Sequence, residues 1–130
     1  MPPVARREAR ERALSLLYEA ETKGASPAEV LRELPVTPDA FAADIVEGVG
    51  GRLAEIDALI AARAIGWAVD RMPAIDRAVL RIGTYELLAH PDVPTAVVLS
   101  EAVELAGAYS TDESGRFVNG VLSAVASAVR

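Results

Sequence analysis

The chain has 130 residues, a net charge of −6 and no cysteine. Its length suits one domain around one core, and the lack of cysteine excludes disulfides, zinc knuckles and thiol nucleophiles. Hydrophobic residues make up 52% and aromatics only 5%, which favours closely packed helices over a β-sandwich, and the acidic balance argues against a general nucleic-acid binder.

The spacing predicts a first helix from about Val4 to Lys23, with Ala9, Ala13, Leu16, Leu17 and Ala20 on one side and Gly24 ending it. Ser26-Pro27-Ala28-Glu29 combines a capping serine, proline at the first helical position and glutamate three residues on, so a short helix runs to about Leu34. Thr37-Pro38 opens a third helix to about Ala64, carrying Phe41, Ile45, Val49, Leu53, Ile56 and Ile60. Gly48, Gly50 and Gly51 weaken it, so this stretch is either kinked or approached closely by another helix backbone, the second being favoured.

A short helical turn over Gly66–Val69 leads to Met72-Pro73, where the proline opens a helix through Ala89. Pro91 and Pro94 form the next connection, and Thr95 caps a helix from Ala96 to about Ala108. Thr111 or Asp112 caps the last helix, which holds Phe117, Val118, Val121, Leu122 and Val125. No strand pattern or repeat stands out. Residues 1–130 are expected to form a single all-α domain, a bundle of about six or seven helices. No run reaches the roughly 18 apolar residues of a membrane span, and the first residues lack a signal peptide's apolar stretch, so the expected location is cytoplasmic, without membrane contact.

Catalytic chemistry finds little support. The lone histidine, His90, lies beside Pro91 in an expected loop, with no second histidine or cysteine to make a metal site or a nucleophile–base pair. Glu101 and Glu104 read as a solvated face or as partners of nearby arginines. The glycines match no phosphate-binding loop. Neither an enzyme nor a cofactor is expected.

Charge is unevenly spread. Residues 1–12 hold four arginines against two glutamates, whereas the rest of the chain holds nine basic against seventeen acidic residues. On a helical wheel Arg6, Arg7 and Arg10 fall within about 100° of one another, with Leu14 and Tyr18 continuing the strip. Guanidinium groups beside an aromatic ring can hold single-stranded RNA through phosphate contacts and base stacking. Three or four such contacts give an affinity loss of roughly 20- to 50-fold between 50 and 200 mM salt. The same arginines can equally serve to solvate a helix end, with Glu8 and Glu11 pairing to Arg12 and its neighbours. The residues alone leave both readings open.

Three segments are similar to the NusB family. They are Arg6-Arg7-Glu8-Ala9-Arg10-Glu11-Arg12-Ala13 running to Leu17-Tyr18; Asp76-Arg77-Ala78-Val79-Leu80-Arg81-Ile82-Gly83-Thr84-Tyr85-Glu86-Leu87, preceded by Trp67 and Met72-Pro73; and Val93-Pro94 to Glu101-Ala102-Val103-Glu104-Leu105-Ala106, followed by Ser114-Gly115-Arg116-Phe117-Val118-Asn119-Gly120-Val121-Leu122. The resemblance implies an all-α NusB-like fold and a transcription antitermination factor. Such a factor pairs with NusE, a small-subunit ribosomal protein. With it the factor binds single-stranded boxA RNA of nascent transcripts, notably of ribosomal RNA operons, and joins other Nus factors and RNA polymerase. By position it implies RNA contacts at Arg6, Arg7, Arg10, Arg81 and Arg116, and partner contacts at Tyr18, Asp76, Glu113 and Phe117. Phe117 also reads as core and Asp76 as a helix N-terminal stabiliser.

The chain departs from the family pattern at Glu8, which interrupts the basic cluster, and at Leu99-Ser100-Glu101, where Ile-Asn-Glu is usual. Glu8 implies weaker RNA affinity without the partner; the second departure implies an altered cap or hydrogen bond. Two alternatives stand beside this reading: the NusB-like module of a ribosomal-RNA cytosine methyltransferase, and a helical adaptor that binds protein alone. A homodimer is a further possible partnership.

Overall fold

Helix α1 (Arg6–Lys23) forms on the alanine and leucine stripe foreseen from its spacing, burying Ala9, Ala13, Leu14, Leu16, Leu17 and Ala20. Gly24 ends it at φ 66°, where its amide donates to the carbonyls of Ala20 and Glu21; glycine is favoured there because a Cβ is strained in the left-handed region. The computed structural model describes residues 5–130, so the expected start at Val4 lies outside the described residues. Helix α2 (Pro27–Glu33) carries the complete capping box between Ser26 and Glu29.

The expected third helix is two. Helix α3 (Ala40–Gly51) is capped by Asp39, whose carboxylate accepts from the amides of Phe41 and Ala42. The chain then breaks at Arg52 (φ −121°, ψ 23°) before α4 (Leu53–Ala61). Gly50-Gly51 just before the break weakens helical persistence, the ordinary origin of a kink without proline. The close approach occurs as well, but by side chains: the Tyr85 ring lies against Gly48, and Pro27 against Gly50, while nothing approaches Gly51.

The turn expected over Gly66–Val69 is displaced to a 3-10 turn at Val69–Arg71. Helix α5 (Ala74–Ala89) buries eleven of its sixteen residues, making it the central helix against which α1, α3, α4, α6 and α7 pack. Helix α6 (Thr95–Tyr109) starts one residue earlier than expected. Pro94 holds the cap position and Thr95 is already helical. For α7 (Asp112–Val129) the cap is Thr111, whose hydroxyl accepts from the Ser114 amide. No strand occurs among the described residues, and no helix there is long and apolar enough to cross a membrane.

Arg130 closes the far end of α5. Its guanidinium donates to the carbonyls of Leu87, Val93 and His90 at 2.8–3.1 Å and to the Thr95 hydroxyl at 3.0 Å. Cationic donors there satisfy carbonyls that the helix end leaves open.

Gly48→Ala is expected to lower stability by about 1–3 kcal/mol, because the new methyl group overlaps the Tyr85 ring and the neighbouring core is already packed. Thermal denaturation measures it; an unchanged midpoint contradicts the packing.

Candidate nucleic-acid interface

The wheel that placed three arginines on one strip is corrected at Arg10. This residue is 3% exposed, and its guanidinium donates two hydrogen bonds, at 2.9 and 2.7 Å, to the buried Glu86 carboxylate of α5. A phosphate cannot reach it without breaking a buried ion pair. Arg10 is therefore a structural cation, not an open contact.

Arg7 is exposed and grips Glu101 of α6 with two hydrogen bonds of 3.0 and 3.1 Å. This contact holds the Glu101 carboxyl below the usual carboxylate range, with burial opposing it. The groove around Arg7 is lined further by Glu11, Glu104, Leu105 and Tyr109, and the Tyr109 hydroxyl donates to Glu11. Glu104 also borders the groove on the other side of α6, beside Arg116, Asn119 and Ser100. Arg7 and Arg116 thus flank α6, with carboxylates between them. Arg6 is exposed at the start of α1 and has no carboxylate partner among the described residues.

Arg81 does not join this group. It pairs with Asp57 of α4 at 2.9 and 2.8 Å and sits near Glu21, at the opposite end of α1. Arg77 also binds Glu21 there and donates to the carbonyls of Val69 and Met72; burial pulls its pKa down. The second motif's arginines mainly fasten α4 and α5 to α1.

Three of the four expected partner residues line one cleft of about 360 Å³: Asp76, Glu113 and Phe117, with Trp67, Pro73 and Thr111. Phe117 is half-buried and its ring stacks obliquely on the Trp67 ring at 6.0 Å, so it serves the core and the cleft wall at once. Asp76 is buried in the first turn of α5; one oxygen accepts from the Ser114 hydroxyl at 2.9 Å, while the other has no protein partner. Ile65, 92% exposed, and Trp67, 51% exposed, stand in the adjoining loop. Tyr18 is exposed on α1 and is not among the residues that line the cleft.

One cluster was not foreseen. His90 ends α5, and its Nε2 lies 2.6 Å from an Asp44 oxygen while the Tyr85 hydroxyl donates to the other at 3.0 Å. Burial, and then this hydrogen bond, push the Tyr85 hydroxyl up to about 12. Phe41 packs on His90 at 5.4 Å and lies under the guanidinium groups of Arg6 and Arg10. In the sequence Phe41 carried only a core signal and His90 only a negative one.

Comparison with known proteins bears on this geometry. A model of the NusB family matches residues 7–127. The transcription antitermination protein NusB of Kineococcus radiotolerans is 48% identical over 126 residues, covering 94% of this chain and 93% of that protein. Its counterpart in Acidothermus cellulolyticus is 50% identical, covering 93% and 86%. Among solved structures, NusB of T. maritima superposes with a TM-score of 0.87 at 32% identity, covering 97% of this chain and 93% of that one. A chain from the complex of antitermination factors NusB and NusE with double-stranded RNA gives 0.79 at 31% identity, covering 95% and 96%.

Arg10→Ala is expected to cost about 3–5 kcal/mol of stability, because it strands the Glu86 charge in the interior. Arg10→Met combined with Glu86→Leu is expected to restore most of the loss. Urea denaturation of the single and double variants checks this; equal loss in both contradicts it.

Proposed function

The chain belongs to the NusB family, and on that footing we propose that it is a transcription antitermination factor, an RNA-binding adaptor without catalytic chemistry of its own. In this reading it acts in the cytoplasm, pairs with NusE and binds single-stranded boxA RNA of nascent transcripts, notably from ribosomal RNA operons. The assembly then joins other Nus factors at RNA polymerase.

The observation that carries the reading is the grouping of exposed cations around one end of the bundle: Arg6 and Arg7 on α1, with Arg116 across α6. Arg10 and Arg77 are buried in ion pairs and so withheld from phosphate, whereas Arg6, Arg7 and Arg116 are exposed together; Arg12, Arg32 and Arg71 are exposed as well but do not line the grooves beside α6. The naming of relatives as antitermination proteins and the likeness to a chain seen with NusE and RNA support the same function. The Trp67–Phe117 cleft suits a protein partner. It offers apolar walls at Trp67 and Phe117 and carboxylates at Asp76 and Glu113 for a donor or cation, and an exposed Ile65 stands in the same loop as Trp67.

With Arg10 internal, two or three phosphate contacts remain. A slope of about −0.7 per contact then corresponds to a loss of roughly 7- to 20-fold between 50 and 200 mM salt. Glu101 competes with phosphate for Arg7, so intrinsic affinity is modest and the partner's contribution large.

The test is a titration of single-stranded boxA RNA, alongside a duplex, with and without NusE. Binding that tightens with NusE and weakens in Arg6→Ala/Arg7→Ala supports the proposal, and absence of RNA binding under all conditions contradicts it. Glu101→Gln is expected to tighten RNA binding a few-fold and steepen the salt dependence by about 0.7, because it releases the Arg7 charge. Unchanged affinity and slope count against competition at Arg7.

A further inference from the structure

The Arg6 guanidinium carbon lies 4.8 Å from the centroid of the Phe41 ring, and that of Arg10 lies 5.3 Å from it. Phe41 is the second residue of α3, where Asp39 fixes the helix start by accepting its amide hydrogen at 3.0 Å. Its other neighbours are anchored too: His90 by Asp44, and Arg10 by Glu86. Arg6 alone among these groups is exposed and lacks a carboxylate partner among the described residues.

A phosphate contact needs only a charge on a flexible stem, which lysine supplies as well as arginine. A planar guanidinium laid on an aromatic ring is different. A guanidinium held over a ring can present its other face to a second flat partner, and Arg6, 4.8 Å from the Phe41 centroid, is exposed among the described residues. Unpaired nucleobases stack on aromatic and arginine planes in this manner, whereas bases inside a duplex are already stacked on their neighbours. The buried ion pair and the Asp44–His90 contact make the lower layers rigid, which reduces the ordering needed on binding.

Resting on the RNA-binding reading above, we infer that Phe41 is a positioning residue that holds Arg6 as a stacking platform for one unpaired nucleobase of a single-stranded RNA. Arg6 touches the base and Phe41 acts through Arg6. Arg7 and Arg116 supply charge to the backbone on either side of α6. The platform gives the site a preference for single strands that charge alone does not provide.

Arg6→Lys separates the two roles, since it keeps the charge and loses the plane; the residue is exposed, so folding is not at issue. Phe41→Leu keeps an apolar side chain in α3 and removes the ring, with thermal denaturation run alongside. The probe is a single-stranded boxA RNA of about 12 nucleotides, together with copies carrying one abasic position at a time, titrated with NusE present across a salt series. Both variants are expected to bind the intact RNA about 5- to 10-fold more weakly with an unchanged salt slope, corresponding to the loss of one stacking contact. At one abasic position the wild type is expected to weaken to the level of Arg6→Lys, with no further loss in the variant. If Arg6→Lys binds as tightly as the wild type, or no abasic position abolishes the difference, the platform is overturned while the RNA-binding reading stands. If the wild type binds no RNA at all, both are overturned.

Discussion

The Arg10–Glu86 ion pair is the constraint on which the rest depends. Two charges in a dry interior hold together only if each satisfies the other, and here two parallel hydrogen bonds do so. The pair joins α1 to the central helix near one end, and Arg77 with Glu21 joins them near the other, so α1 lies antiparallel to α5 in a fixed register. That register brings Arg7 to Glu101, Glu11 to Tyr109 and Arg6 to Phe41. The surface end of α1 is thus placed by an interaction that never reaches the surface.

The arginines accordingly divide by task. Arg10, Arg77 and Arg130 fasten helices from inside or at their ends, and Arg81 bridges α5 to α4. Of the exposed arginines, Arg7 and Arg116 lie on either side of α6, interleaved with Glu101 and Glu104, and Arg6 precedes Arg7 at the start of α1. A net charge of −6 repels phosphate at long range. In the proposed function, attraction therefore has to be local, and part of it comes from displacing Glu101. A partner that supplies further cations fits such a surface well.

Helix starts were legible to within about two residues where a side chain or proline marks them: Ser26 with Pro27 and Glu29 read the same in sequence and structure, Thr111 was one of two candidates, and the starts expected at Thr37-Pro38 and Thr95 fall at Asp39 and Pro94. The break at Arg52 was read only as the less favoured alternative, because no proline announces it and the apolar spacing continues from Val49 to Leu53 and Ile56 across it. Arg10 was misjudged for a related reason. A wheel gives direction but not neighbours, and Arg10 lies in line with Leu14 and Leu17, which are buried. Glu86, likewise one turn from buried Ile82, was the available clue. Two opposite charges in otherwise apolar registers are a sign that they meet. Phe41 and His90 gave no functional signal alone, since their importance comes from side chains far apart in the chain meeting at the Phe41 ring: Arg6 on α1 and His90 at the end of α5.

In the proposed function the α1 end of the bundle is the RNA surface. This is tested most directly by following backbone amide resonances during titration with single-stranded boxA RNA in the presence of NusE. Shifts are expected to concentrate at Arg6, Arg7, Phe41 and Arg116, with Asp57 and Arg81 undisturbed. Shifts centred on Asp57 and Arg81, with the start of α1 silent, contradict it.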